Sequence, residues 1–151
     1  MKKKILIVIA NYYKDISYGL LASAKKKLSK VSKIKIIYVP GVFEIPVTIA
    51  KNINRYDGFI ALGCVIRGET SHYETVCNDS SKGLLMLGLQ GLSIGNGIIT
   101  VENINQAKER SDPKKLNKGA GAALAALNLL SLSLSWQEMS KDIGFKSSSS
   151  T

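Results

Sequence analysis

The feature that most narrows the fold is an alternation. Four β-rich apolar runs, "ILIVIA" (Ile5–Ala10), "IKIIYV" (Ile34–Val39), "GFIALGCVI" (Gly58–Ile66) and the weaker "GIITV" (Gly97–Val101), are separated by longer stretches of helical period. Between the first two, Ile16, Leu20, Leu21, Ala24 and Leu28 recur at helical spacing with lysines opposite. After the second, "EIPVTIAKNI" places Pro46 in a first helical turn, where its missing N–H costs nothing. Val76, Leu84, Leu85 and Leu87 predict a third helix ending near Gly88. "ENINQAKER" predicts a short fourth, stopped by Asp112 and Pro113, and a last helix is expected from about Lys118 to Met139. This order belongs to an α/β fold, a four-stranded parallel sheet joined by right-handed crossovers with helices on both faces. Near-continuous apolar strands agree with a sheet covered on both sides. The domain is expected over residues 1–140, with 141–151, including "KSSSST", a polar and disordered tail.

Charge excludes less than its size implies. The 151 residues carry a net +10, but the only arginines are Arg55, Arg67 and Arg110, and the lysines gather in Lys2–Lys4, Lys25–Lys27 and the helix margins. That is the pattern of solvated helix faces, whereas a nucleic-acid reader interleaves arginine with exposed aromatics, so no nucleic acid is expected as a partner. Cys64 and Cys77 have neither metal nor redox spacing; they read as free thiols in a reducing, cytoplasmic compartment. "MKKKILIVIANYYKD" imitates a signal peptide, but polar Asn11, Lys14 and Asp15 end its apolar run without a cleavage site. Ala120–Trp136 is interrupted by Asn128 and three serines and falls short of the roughly 20 apolar residues a membrane span needs. No membrane is expected. The same segment is apolar or small nearly all round, so a second surface, read as a neighbouring subunit, is expected to cover it.

In an open parallel sheet, ligands bind beyond the carboxyl ends of the strands. Tyr12, Tyr13, Phe43, Arg67 and His72 all fall at that edge. "RGETSH" brings glycine and hydroxyl residues to a helix entry, where free N–H groups and the dipole suit a phosphate or carboxylate; an ordinary N-cap by Thr70 or Ser71 with Glu74 fits equally. His72, the only histidine, would stand in that first turn, where the dipole disfavours the imidazolium and leaves a ring able to accept a proton near pH 7. A surface or capping role is the plainer alternative. No cluster supplies further ligands for a metal, and no serine triad is discernible. Tyr12 and Phe43 offer faces to a flat ring, or plug the core; Glu44 offers two acceptors.

Four landmarks in order, "GVFEIP", "GCVIRGETSHYETVCNDSSKGL", "TVENINQAKER" and "NKGAGAALAAL", resemble the lumazine synthase family from about Lys4 to Leu134. The resemblance implies a flavodoxin-like three-layer sandwich and a cofactor-free, metal-free transferase. Its reaction condenses 5-amino-6-(D-ribitylamino)uracil with 3,4-dihydroxy-2-butanone 4-phosphate in the penultimate step of riboflavin formation. It further implies His72 as the acid-base residue and Tyr12 as the aromatic that stacks on the pyrimidine. Val42, Phe43 and Glu44 would meet the ring and ribityl chain, and Cys64, Val65 and Ile66 the pyrimidine edge. Glu69 and Thr70 would hold the phosphate through loop N–H groups and the hydroxyl. From an adjacent subunit Asn96, Arg110 and Lys118 would close the pocket, Arg110 as the main phosphate counter-charge.

Three positions depart from the family pattern: Asn96 where an aromatic or aliphatic lid is common, Gly121 where an acid is common, and Glu69 beside the phosphate loop, whose side chain must point away. The family forms homopentamers, some packed into hollow icosahedral shells. With a strand beginning almost at residue 1, no extension is expected to add a strand to a neighbour, and a free pentamer is the expectation, with riboflavin synthase a candidate partner. The alternatives are a non-catalytic flavin or lumazine binder on the same scaffold, which would need neither His72 nor Arg110, and a basic nucleic-acid module, which would show salt-dependent retention of RNA or DNA.

Overall fold

The computed structural model describes the backbone of residues 2–142 and the side chains of residues 2–133. Its elements run β1 (Lys3–Ala10), α1 (Lys14–Leu28), β2 (Ser32–Val39), α2 (Glu44–Ala50), β3 (Gly58–Ile66), α3 (His72–Leu89), β4 (Ile94–Val101), α4 (Ile104–Ser111) and α5 (Lys118–Asp142). The expected alternation is therefore present, and each expected strand and helix is found. The tail expected over 141–151 lies outside the described residues except for the last two backbone positions of α5.

The strands form one parallel sheet in the order β2-β1-β3-β4. Alternate strand residues face opposite sides, and each side has its own core. Ile5, Ile7, Ile9, Ile60, Leu62 and Ile99 pack against α1, α4 and α5 through Leu20, Leu28, Ala107, Ala123 and Ala126. Leu6, Val8, Phe59 and Ala61 pack against α2 and α3 through Ile45, Ile49 and Leu84. This is the three-layer sandwich that the sequence implied.

Two glycines set how closely the last helix approaches. A β-carbon on Gly95 would overlap the carbonyl oxygen of Ala122, and one on Gly119 would overlap that of Leu20, so α5 rests on β4 and α1 with backbone against backbone. Neither obstacle is a flexible side chain that can swing aside. Gly95→Ala should destabilise the fold by about 3 kcal/mol, the upper end of ordinary overpacking. A thermal melt should then show the midpoint lowered by about 10 °C. An unchanged midpoint would mean that α5 can lift off β4 at no cost.

The outward face of α5 exposes Leu124, Leu129 and Leu132, and α3 exposes Leu85, Met86 and Leu89, the last at 78%. The single chain thus leaves leucines uncovered on the last helix, where a neighbouring subunit was expected, and also on α3, where none was. No described helix is long and apolar enough to cross a membrane.

Candidate active site

The strand order locates the crevice. From β1 the chain moves outward to β2, and from β3 it moves the other way to β4, so the switch point lies between the carboxyl ends of β1 and β3. The segments leaving there are Asn11–Tyr13 and Arg67–Ser71, with Pro40–Phe43 beside them. Gly63 makes the junction compact: a β-carbon there would meet Val42 Cγ1 at 2.7 Å and the Ala10 methyl at 3.4 Å. Val42 is consequently buried across the ends of β1 and β3, while its neighbour Phe43, heading α2, is 56% exposed. Tyr12 is 77% exposed and meets Tyr13 edge to face, ring centroids 5.0 Å apart. Tyr12 and Phe43 therefore do not plug the core, and their rings stand exposed; the buried residue at this junction is Val42. Glu44 is exposed at the first position of α2.

Cys64 is buried, and burial pushes its thiol up to about 11, so it remains protonated at neutral pH and offers apolar bulk, not a nucleophile. Val65 and Ile66 are half-buried at the end of β3. Beyond them Glu69, Thr70 and His72 are exposed, and His72 is the first residue of α3.

The cap expected at this helix takes a different form. Ser71 stands at the N-cap but its side chain accepts no N–H; Thr70 Oγ1 accepts from the His72 N–H at 3.3 Å, and Glu74 turns away to pair with Arg67. The reason is electrostatic: a full guanidinium charge outcompetes a single backbone N–H for the carboxylate. The Arg67 hydrogen bond holds the Glu74 carboxyl below its ordinary value of 4.5. With the folded value depressed, whatever the pair contributes is present above the unfolded value and is lost as pH falls through the lowered one.

Arg67 also donates from Nε to Glu102 at 2.8 Å and lies 4.4 Å above the Tyr73 ring. These partners were not among the residues singled out from the sequence. The register reveals Glu102: Ile66 pairs with Val101, so Arg67 and Glu102 leave neighbouring strands side by side.

The remaining three candidates form a second group. Asn96, Arg110 and Lys118 line one hollow of about 260 Å³ against β4, together with Thr100 and strand backbone, and none of the β1–β3 crevice residues contributes to it. Asn96 Oδ1 accepts from the Ile98 N–H at 3.0 Å, which suits an edge strand with unpaired donors. Arg110 is half-buried on α4 and gives one N–H to the Gln106 carbonyl at 3.3 Å. Asn103 caps that helix by accepting from the Gln106 N–H at 2.9 Å, which fixes its direction. Both ion pairs among the described residues belong to Arg67, so neither Arg110 nor Lys118 is neutralised by a carboxylate there. No described group of His, Cys, Asp or Glu is arranged to hold a metal ion.

The described residues thus form a parallel α/β sandwich with exposed aromatic rings near its switch point and two cations beside its edge strand that have no carboxylate partner among them. Comparison with known proteins narrows the class to a family. Residues 2–133 match the family model of 6,7-dimethyl-8-ribityllumazine synthase. Among curated proteins bearing that name, one from Jannaschia sp. (strain CCS1) is 51% identical over 146 residues, covering 95% of this chain and 82% of the relative. One from Novosphingobium aromaticivorans is 46% identical, covering 88% and 98%, and one from Bartonella tribocorum is 50% identical, covering 87% and 92%. The chain belongs to the 6,7-dimethyl-8-ribityllumazine synthase family.

Proposed function

We propose that this chain forms 6,7-dimethyl-8-ribityllumazine, for riboflavin, from 5-amino-6-(D-ribitylamino)uracil and 3,4-dihydroxy-2-butanone 4-phosphate, with release of phosphate and water. The observation that carries the reading is the hollow beside β4, where Arg110 and Lys118 have no carboxylate partner among the described residues. A passive binder of riboflavin or lumazine, neither of which carries a phosphate, has no use for two such cations, whereas expulsion of phosphate needs positive charge where negative charge develops.

In this reading the pyrimidine lies against Tyr12 and Phe43, its edge meets the backbone of Cys64–Ile66, and Glu44 accepts hydrogens from the ribityl chain. The N–H groups of the loop at Glu69 and Thr70, with the Thr70 hydroxyl, hold the phosphate from one side, and Arg110 holds it from the other. The 5-amino group attacks the ketone and water leaves as the imine forms. Phosphate is then eliminated, and the ribityl-bearing nitrogen closes the second ring with loss of water. His72, an exposed imidazole at the entry to α3, gives and takes the protons of these steps. Much of the acceleration comes from holding two reactants in one cavity, and no cofactor or metal is required.

Since the two groups of residues do not share a hollow within one chain, the complete site arises where the β4 edge of one subunit meets the β1–β3 crevice of the next. A free homopentamer closes such a ring, and it would cover the exposed leucines of α3 and α5. The cytoplasm supplies both substrates, and riboflavin synthase, which consumes the product, is the candidate partner. Purified protein given both substrates should develop the absorbance of lumazine. If flavin or lumazine binds tightly and no product forms, the chain is a binder and not an enzyme.

A further inference from the structure

We infer that Arg67 is a positioning residue, a three-way clamp that fixes the His72 loop against the turn leading to the Arg110 helix. The inference rests on the function proposed above. Four contacts converge on this one residue. Its backbone N–H donates to the Val101 carbonyl at 2.9 Å, continuing the β3–β4 ladder one step past the strand ends. Its guanidinium pairs with Glu74 in the first turn of α3 and with Glu102 in the turn between β4 and α4. Its flat face covers Tyr73, the residue after His72. Glu102 is itself held to α4, donating its N–H to Gln106 Oε1 at 2.8 Å, and Gln106 in turn gives its carbonyl to Arg110.

Stability alone does not explain the arrangement. All three charged side chains are between 41% and 56% exposed, and pairs so wetted contribute little to folding. What a planar fork does supply is direction, because two carboxylates and a ring face can be satisfied together in only one orientation. The loop between Arg67 and His72 has few other constraints: its residues are exposed, and Gly68 has open space around it. Two carboxylates also balance the Arg67 charge, so the phosphate is left to the loop N–H groups and to Arg110. Lysine at this position could reach one carboxylate but could not serve both and cover the ring.

The test compares Arg67→Ala, Arg67→Lys and Glu102→Gln with the parent chain in steady-state kinetics and in amide hydrogen exchange read by mass spectrometry. Arg67→Ala should lower kcat by about 10-fold or more, since small misplacements of reacting groups are amplified in rate. KM for the aminouracil should move less than about twofold, because its stacking residues, Tyr12 and Phe43, follow β1 and β2 and not β3. Arg67→Lys should recover part of the loss, and adding Glu102→Gln to Arg67→Ala should cost nothing further. Exchange should accelerate in residues 67–76 and not in the β1 core. A parent-like kcat in Arg67→Ala, or unchanged exchange at 67–76, overturns the clamp. If the parent chain itself forms no lumazine, the proposed function fails, while the exchange experiment still decides whether Arg67 holds the loop.

Discussion

Replacing His72 by alanine should lower the rate of lumazine formation by about 100-fold while leaving the thermal midpoint where it was. Positioned proton transfer by a side chain contributes roughly 10²- to 10⁴-fold in enzymes. The low end is expected here because imine formation and ring closure also gain from confinement of two reactants, which the substitution leaves intact. The fold should not suffer. His72 is exposed at the start of α3, and its backbone N–H retains Thr70 Oγ1. Steady-state absorbance kinetics beside a melt separate the two effects. A loss of less than about threefold would return His72 to the plainer role of a surface residue in a helix's first turn.

Arg110→Ala should act on the other substrate. The arginine is half-buried, spends one N–H on Gln106, has no carboxylate partner among the described residues and lines the hollow. Removing a group that meets charge developing in a transition state costs about 10²- to 10³-fold. That loss should fall on kcat/KM for the butanone phosphate, with KM for the aminouracil little changed. Arg110→Lys should sit between the two, keeping the charge and losing the fork. An equal loss toward both substrates would indicate that α4 had shifted as a whole, and its cap at Asn103 would then be the place to look.

These predictions draw on a site that the sequence made only partly legible. The strand-end rule and the family landmarks placed Tyr12, Phe43 and His72 at one edge, and the strand order puts a switch point between β1 and β3 at that edge. Strand limits were legible where burial is continuous, as in β3. They were less so in β4, whose first three residues were hidden by Gly95 and Gly97. Glycine reads as a break in a strand, yet here Gly95 is demanded by the carbonyl of Ala122, which lies 27 positions away in the chain. The capping reading failed at Glu74 for a similar reason. Spacing along the chain pointed Glu74 back to its own helix end, but the competitor, Arg67, stands seven positions earlier at the end of β3, where its N–H is anchored to Val101 of β4. Tertiary partners of this kind leave no periodic trace. The grouping of Asn96, Arg110 and Lys118 was legible only through the family resemblance, because no spacing rule joins a strand, a short helix and a helix start into one hollow.

The departures at Asn96 and Gly121 acquire a physical meaning in the structure. Asn96 spends its carbonyl on the edge of β4, so the pocket wall there is polar and partly self-satisfied. Gly121 is exposed with open space at its α-carbon, so α5 offers no side chain at that point to oppose Lys118. Glu69 is exposed, in keeping with a side chain that leaves the phosphate to the loop N–H groups.

The central claim is that one site is assembled from two chains, with His72 from one and Arg110 from its neighbour, and mixing two crippled variants tests it most directly. His72→Ala and Arg110→Ala subunits, unfolded together and refolded in equal amounts, should recover activity that neither possesses alone. In a ring with one kind of interface, about a quarter of the sites would pair an intact His72 with an intact neighbouring Arg110, so recovery should approach about a quarter of the parent rate. Co-refolded mixtures no more active than the two variants assayed separately would contradict the account.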